Sequence, residues 1–580
     1  MQSSQAENPF GSTLTGAQIL VESLHCEGVR HIFGYPGGTV LPVYDAIHQQ
    51  THFEHILVRH EQAALHAADA YARSSGQVGV AVVTSGPGAT NAVTGIATAY
   101  ADSIPLVVIT GQVSTGLIGT DAFQECDTLG ITRPCVKHNF LVKHVEDLAV
   151  TVKKAFHIAR TGRPGPVIID LPKDVQTSEC VFEYPDAIEM PNYRPTTRGH
   201  SGQIKRALTA LLEARRPLIY VGGGAVSSDA HDVLNEFLDA LGAPVVSTLL
   251  GLGAVRHDNP HYLGMVGMHG TFEADMAMHY CDVLLAVGAR FDDRVIGHPA
   301  DFMKRERTVI HIDIDPSSIS KIVHADVPIV GDVREVLADA LRMLGERRPD
   351  PQLTAEWRSE IETWRAKRSL DYTVDTNGPI KPQAVIERVG AYTKGEAWYA
   401  TDVGQHQIWA AQYLKIAKPR HWLSSGGLGT MGYGLPAACG CAVAHPGEPV
   451  VCFTGDGSVQ MNIQELGTAK QYGLAPKIFL LNNGYLGMVA YWQRNYYGGR
   501  LSASVMDVQP DFVKLAECYG HVGIRVQTYE ELDRAIHDAF ETYRDELVLV
   551  DVIIAPEEPV LPMVGPGLGL TDIVIPGEGY

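Results

Sequence analysis

The sequence predicts an α/β protein of three doubly wound domains, each built on a parallel sheet. Three observations carry that reading. The chain has 580 residues, and domains of about 100–200 residues are the rule. Short, wholly apolar runs alternate with longer amphipathic ones, and a strand apolar on both faces belongs in a parallel sheet covered by helices. Two polar stretches interrupt the alternation, at 173–200 and 345–381, and such segments are where chains divide into domains.

In chain order, the first domain, 12–180, offers strands at VGVAVVTS (78–85), PLVVITG (105–111) and PVIIDLP (166–172), and helices at 61–75, 89–102 and 147–161. A further strand at 56–60 leads into the first of these helices. The connection at 173–200 contains FEYPDAIEMPNYRPTTRGH and reads as a linker. The second domain, 200–345, offers PLIYVGG (217–223), DVLLAVGA (282–289) and TVIHIDID (308–315), with helices at 203–214 and 229–241. A second linker, 345–381, includes a helical stretch at 353–369. The third domain, 380–556, offers PVVCFTG (449–455), KIFLLNN (477–483) and LVLVDVII (547–554), with helices at 460–472 and 529–543. Residues 557–580 form a tail.

The outer domains echo each other. AALHAADAYARSSG leads to VGVAVVTSGPGATN in the first, and YGLPAACGCAVAHPG leads to PVVCFTGDGSVQMN in the third. Helix, strand, Gly-x-Gly turn and helix recur in order, which reads as an old duplication. Pro87 stands where Asp456 stands, so one copy alone keeps a turn able to hold a ligand.

Composition excludes several function classes. A formal net charge of −20 argues against nucleic acid or an anionic membrane as partner, since both need a basic face. The nine cysteines show no framework spacing. Cys439 and Cys441 lie two apart in an apolar helical run and read as small buried hydrophobes, as expected in a reducing compartment. The first residues, MQSSQAENPFGSTLTG, have neither the basic start nor the apolar core of a secretory signal. No run approaches the roughly 20 apolar residues that span a bilayer. A cytoplasmic protein is expected.

The chemistry concentrates in GDGSVQMNIQELGTAKQYGLAPKIFLLNNG (455–484). One strand ends in Asp456 between two glycines, and the next ends in Asn482-Asn483. A carboxylate and a side-chain amide on adjacent strand ends are oxygen ligands for a hard cation such as Mg²⁺, which shares its sphere with phosphate oxygens. Gly455 and Gly457 let backbone approach a ligand. A helix from about Val459 would present its N-terminus to a phosphate. Each half alone is a common turn. Together, one helix apart, they resemble the diphosphate–metal motif of thiamine-diphosphate enzymes.

That resemblance implies a second element, a glutamate that hydrogen-bonds the cofactor's aminopyrimidine ring and favours the imino tautomer that takes the C2 proton. His60-Glu61-Gln62-Ala63 resembles the activating segment of this superfamily. The resemblance also implies that the two halves of a site come from different subunits, so that at least a homodimer, or a homotetramer, is expected.

Most of the chain, about 15–570, is similar to the catalytic subunits of acetohydroxyacid synthase, the acetolactate synthase family. The stretches that carry this are FGYPGGTVLPVYDA, RHEQAALHAADAYARSSG, VTSGPGATN, GTDAFQE, GRPGPVIIDLPKDV, GARFDDRVIG, SSGGLGTMGYGLPAA, GDGSVQMNIQEL and NNGYLGMVAYWQ. The family's enzymes decarboxylate pyruvate and join the two-carbon remainder to pyruvate or 2-ketobutyrate, early in branched-chain amino acid synthesis. The resemblance implies Asp456, Asn483 and the Tyr485 carbonyl as metal ligands. It places Val403, Gly404, Gln405, His406, Gly457 and Ser458 at the diphosphate, and Gly429 and Met431 against the cofactor, which Met431 bends. Gln124, Phe123 and Lys173 match channel positions, and Gly38 and Thr39 match the loop opposite the partner's thiazolium ring. Thr39 departs from the smaller residue of many relatives. Arg290 is expected to take the acceptor's carboxylate, and Met488 and Trp492 to wall its pocket.

The middle domain is implied to hold FAD without net redox chemistry. Its candidate contacts are Arg163, Gly222, Gly223, Gly224, Thr248, Leu249, Met265, His269, Gly288, Ala289, Arg290, Asp292, Arg294, Asp313, Ile314, Asp332 and Val333. Arg290 and Trp492 favour carboligation over the pyruvate-oxidase alternative, in which FAD takes the electrons. A small regulatory subunit is a further implied partner.

Overall fold

The computed structural model describes residues 10–577. The chain forms two compact units, one of Met1–Arg194 with Gly427–Gly447 and Asn462–Ala475, the other of Pro195–Gly426, Glu448–Met461 and Pro476–Tyr580. Three six-stranded sheets organise them.

The sheet of the first unit runs, in space, Glu54–Leu57, His31–Tyr35, Gly79–Val83, Leu106–Gln112, Val167–Pro172 and His138–Leu141, all parallel. In chain order that is 2-1-3-4-6-5. The last sheet has the same order, with Trp422–Leu423, Trp398–Thr401, Val450–Gly455, Lys477–Asn482, Val548–Ile553 and Val522–Val526, again parallel throughout. The shared order agrees with a duplication. The central sheet differs. Tyr262–Met265, Val245–Ser247, Pro217–Val221, Val283–Val287, Thr308–Asp313 and Val327–Val330 follow 3-2-1-4-5-6, the order of dinucleotide-binding folds.

In such sheets ligands gather outside the carboxyl ends of strands where the order reverses. In the last sheet that point lies between Trp398–Thr401 and Val450–Gly455, and the segments leaving it are Asp402–His406 and Asp456–Ser458. In the central sheet it lies between Pro217–Val221 and Val283–Val287, from which Gly222–Gly224 and Gly288–Arg290 depart.

Helix Glu61–Ser75 has the bounds its pattern predicts. His60 Nδ1 accepts the Gln62 N–H at 3.1 Å, and Gly76 closes the helix with φ 73°. The helix buries Ala63, Ala64, Ala67, Ala68 and Ala72 and packs closely on a second small-residue helix, Gly434–Ala444. A Cβ on Gly440 would lie 2.0 Å from the Ala67 carbonyl oxygen, so only glycine permits this approach.

Several segments depart from expectation. The stretch from 173 is not all linker: Lys173–Thr177 is helical, Glu179–Val181 pairs antiparallel with Thr13–Thr15, and Phe182 is fully buried. In the second connection, Ala355–Arg365 is a helix whose Trp357 and Ile361 enter the central domain's core. The Trp357 indole N–H donates to the Pro217 carbonyl at 3.1 Å, so two apolar anchors in a polar background tie this helix down. Residues 460–472 are α-helical only over Glu465–Gln471, after a single 3₁₀ turn at Val459–Met461. The helix at 529–543 ends at His537 and continues as a π turn over Asp538–Thr542. Within the tail, Met563–Val564 pairs with Ile573–Val574, and Leu570, Ile573 and Ile575 join the core around Phe272; residues 578–580, like 1–9, lie outside the described residues. Among the described residues no helix is long and apolar enough to cross a membrane.

Candidate active site

Asp456 leaves strand Val450–Gly455 and is only 2% exposed. Its Oδ2 accepts the Gly484 N–H at 3.0 Å and the Gln509 side-chain amide. Burial pushes its carboxyl up to about 6. The two asparagines divide their labour. Asn482 Nδ2 donates to the buried Asp551 at 3.0 Å and serves the sheet. Asn483 Nδ2 donates to Gln405 Oε1 at 3.4 Å, and its Oδ1 accepts the Tyr485 N–H at 3.1 Å. Among the described residues, no group of three His, Cys, Asp or Glu side chains gathers as a metal cage. Asp456, Asn483 and the Tyr485 carbonyl offer an incomplete oxygen set, the kind that shares a hard cation with phosphate.

The opposite wall follows Trp398–Thr401. The Val403 N–H donates to Asp402 Oδ1 at 3.0 Å, and Gly404, with φ 155°, opens helix Gln405–Tyr413. His406 is buried, burial lowers its imidazole to about 3, and Nε2 has no hydrogen-bond partner. The neutral ring is packed by glycine. A Cβ on Gly455 would lie 2.9 Å from His406 Nδ1, and one on Gly404 2.8 Å from Cε1. On Gly487 it would fall 2.0 Å from Gln405 Oε1. A glycine-lined cradle, an orphaned buried imidazole nitrogen and the buried Asp456 carboxylate fit a metal-bound diphosphate.

The expected helix N-terminus at Val459 is corrected. The Met461 N–H donates to the Ser458 carbonyl at 3.1 Å, an i→i+3 turn, and Gln460 Nε2 donates to the Asp456 carbonyl at 2.8 Å. These bonds tighten the segment into one turn, leaving Ser458, whose Oγ accepts the Gly455 N–H at 3.3 Å, as the polar group beside Gly457.

In the first unit, Glu61 opens its helix at 9% exposure, and its Oε2 accepts Asn91 Nδ2 at 3.0 Å. The turn before it is held by Glu465, whose Oε1 accepts the Arg59 N–H at 3.0 Å. Burial pushes Glu465 up to about 7. Gly38 is exposed, while Thr39 faces inward: its hydroxyl lies 3.0 Å from that of Thr84 and accepts the Ser85 N–H at 3.1 Å. Gln124 has φ 60° in a loop closed by Glu125, which accepts the Gly119 and Ala122 N–H groups. Beside it Phe123 is 88% exposed. Lys173 is the exposed first residue of Lys173–Thr177. Met431 is half-buried between Gly429 and Gly432, both at positive φ. Arg163 donates to Ser103 Oγ at 2.8 Å in this unit.

At the central sheet, Gly224 N–H donates to the Gly288 carbonyl at 2.9 Å, and a Cβ on Gly222 would lie 2.4 Å from that oxygen. Two glycine-bearing turns thus touch, leaving Gly223 and Gly288 as backbone able to approach a flat or phosphate-bearing ligand, while Ala289 is buried behind them. Thr248 caps the turn Leu249–Gly251. Met265 ends its strand, and beyond it the buried His269, pushed down to about 4 by burial, places Nδ1 3.2 Å from the Pro562 carbonyl. Tyr220 donates its hydroxyl to the Arg290 carbonyl at 2.7 Å. Asp292 caps Asp293–Ile296 through the Arg294 N–H, and Asp332 caps Val333–Leu344 through the Arg334 and Glu335 N–H groups. Asp313 Oδ1 accepts the Asp315 N–H across Ile314 at 2.8 Å.

Helix Gly487–Tyr496 begins four residues past Asn483 and walls a cavity of about 650 Å³. Met488 and Trp492, one turn apart, line it with Tyr497 and Arg500, and the Trp492 ring lies 5.4 Å from that of Tyr496.

Comparison with known proteins agrees with this geometry. Residues 14–131 match the N-terminal thiamine-pyrophosphate-binding domain of thiamine pyrophosphate enzymes, 204–340 their central domain, and 402–552 their C-terminal thiamine-pyrophosphate-binding domain. The chain is 55% identical to acetolactate synthase isozyme 3 large subunit of Escherichia coli, over 97% of this chain and 98% of that one. It is 53% identical to the acetolactate synthase large subunit of Haemophilus influenzae, with the same coverage, and 47% identical to the acetolactate synthase of Mycobacterium bovis, over 97% and 91%. The chain belongs to the acetolactate synthase large subunits.

Within this acetolactate synthase fold, the structure brings Asp456, Asn483, Gln405 and His406 to one cradle. Asn91, Glu465 and Gln509 were not foreseen. Asn91 and Glu465 touch residues 30 and 406 positions away, and Gln509 one 53 away, separations no local motif signals.

Proposed function

We infer that this chain catalyses the synthesis of 2-acetolactate from two pyruvate molecules with release of one CO₂, and of 2-aceto-2-hydroxybutyrate when 2-ketobutyrate is the acceptor. The observation that carries the reading is the buried Asp456 beside Asn483 in a glycine-lined cradle, in a chain of this family. Asp456, Asn483 and the Tyr485 carbonyl would hold Mg²⁺, with Gln405, His406, Gly457 and Ser458 around the diphosphate. Thiamine diphosphate, when bound, supplies the electron sink that makes loss of CO₂ from a 2-keto acid feasible. Glu61 would hydrogen-bond the pyrimidine ring nitrogen, and its burial keeps water from competing for that bond. Met431 would press the cofactor into its bent shape. Arg290 would fork onto the acceptor's carboxylate, with Met488 and Trp492 against its alkyl end. Gln124, Lys173, Phe123, Gly38 and Thr39 would line the approach.

The touching turns at Gly222–Gly224 and Gly288–Ala289 support FAD as a structural ligand of the central domain. The active assembly is at least a dimer, in which Glu61 of one copy serves the cofactor held by Asp456 of the other. The exposed Phe123 supports a covering partner at its loop. Since its relatives are named large subunits, a small regulatory subunit is a further partner. The test is product analysis: Asp456→Ala should abolish acetolactate formation, and full activity in that variant would refute the site.

A further inference from the structure

Residues 427–433, GLGTMGY, carry Met431 between Gly429 and Gly432, whose φ values are +72° and +88°. A segment with this backbone freedom keeps one shape only where other groups pin it. The Gly427 N–H donates to Asp102 Oδ1 at 2.6 Å. The Thr430 and Thr98 hydroxyls lie 2.8 Å apart. Asn462 Nδ2 donates to the Gly432 carbonyl at 2.7 Å, and the Tyr433 hydroxyl donates to Asp69 Oδ1 at 2.7 Å. Arg73 ties Asp69 and Asp102 together, at 2.5 and 2.7 Å.

The threonine pair pins the residue just before Met431, as the Asn462 bond pins the residue just after it. Thr98 is fully buried and Thr430 is 8% exposed, although residues 426–429 just before it are exposed. Thr98 Oγ1 also donates to the Thr94 carbonyl at 2.9 Å, so its hydroxyl is held on two sides. The helix that carries Thr98, Pro87–Asp102, also carries Asp102 and the Asn91 that holds Glu61. One helix therefore grips both the glutamate and the methionine loop.

We propose that Thr98 is a positioning residue for the reaction: through its hydrogen bond to Thr430 it sets where Met431 stands against the cofactor. This rests on the reading of Met431 given above. Thr98 touches neither substrate nor cofactor in this account, so its loss shows as misplaced chemistry and not as lost binding.

Thr98→Val keeps the side-chain shape and removes both bonds of the hydroxyl. Holoenzymes of wild type, Thr98→Val, Thr98→Ser and Met431→Ala are compared by hydrogen–deuterium exchange at C2 of bound thiamine diphosphate without substrate, by kcat and KM for pyruvate, and by Kd for the cofactor. Thr98→Val is expected to slow exchange and kcat together by tenfold or more, with KM and Kd within threefold of wild type. Thr98→Ser, which can make both bonds, should restore both rates to within threefold. Should Thr98→Val fail to fold, Thr430→Val tests the same contact from the loop side. If Met431→Ala slows exchange while Thr98→Val stays within twofold of wild type, the proposal is overturned; it is equally overturned if Thr98→Ser does not recover the loss. Wild-type exchange in Met431→Ala overturns the role of Met431 itself.

Discussion

Glu61→Gln separates charge from shape at the residue proposed to activate the cofactor. The side chain is 9% exposed and accepts one hydrogen bond, from Asn91 at 3.0 Å. A glutamine carbonyl accepts the same bond in the same volume, so the packing should survive. What is lost for folding is a negative charge in the first turn of helix Glu61–Ser75, worth about 0.3–1 kcal/mol. A change of that size moves the melting temperature of a chain this large by no more than a few degrees. The chemistry should lose far more. Positioned acid–base groups contribute about 10²–10⁴-fold, or about 2.7–5.4 kcal/mol of barrier at 1.36 kcal/mol per factor of ten. Initial rates of acetolactate formation at saturating thiamine diphosphate and Mg²⁺ would measure the loss, with cofactor affinity from tryptophan quenching and stability from calorimetry. The account expects a fall of a hundredfold or more in kcat with Kd within threefold. Turnover within threefold of wild type would remove Glu61 from the mechanism.

Asp456→Asn should weaken Mg²⁺ and thiamine diphosphate together by tenfold or more in titrations, since in the proposed site one ion would join protein and diphosphate; unchanged affinity for both would make Gly-Asp-Gly a mere turn. Burial holds the wild-type carboxyl at about 6, so below that pH it carries a proton that a bound Mg²⁺ would have to displace. Cofactor affinity measured against pH should therefore fall about tenfold per unit below pH 6 and level off above it, and a flat profile through pH 5 would contradict this. Asn482→Ala and Asn483→Ala should part ways: the first leaves buried Asp551 without its amide donor and costs about 1–3 kcal/mol of stability in denaturant titration, while the second chiefly lowers metal affinity. Trp492→Leu should lose preference for 2-ketobutyrate in a competition assay, because the acceptors differ by one methylene, which an apolar wall discriminates by about 1–3 kcal/mol; an unchanged product ratio would move the wall elsewhere.

What was legible in the sequence was local. Helix Glu61–Ser75 could be read because its cap, alanine face and closing glycine are contiguous. Asp456 and Asn483 could be read because strand ends one helix apart must meet at one sheet edge. The strands missed by the sequence reading, such as His31–Tyr35 and Val245–Ser247, are short or end in residues at home in loops. Helix Ala355–Arg365 was half-hidden because two buried anchors, Trp357 and Ile361, sit among charges. The expected helix start at Val459 gives way to a single 3₁₀ turn, and the α-helix begins only at Glu465. The buried Asp69–Arg73–Asp102 cluster and its grip on Tyr433 were invisible, since charge in a helix normally means a solvated face and the partner lies 364 residues away.

The central claim is carboligation without oxidation, and one measurement meets it directly. The purified chain is incubated with pyruvate, thiamine diphosphate, Mg²⁺ and FAD while CO₂, 2-acetolactate and dissolved oxygen are followed together. The account predicts one CO₂ and one acetolactate for every two pyruvates consumed, with oxygen unchanged. Oxygen consumed in step with pyruvate, with acetate or acetyl phosphate in place of acetolactate, would contradict it.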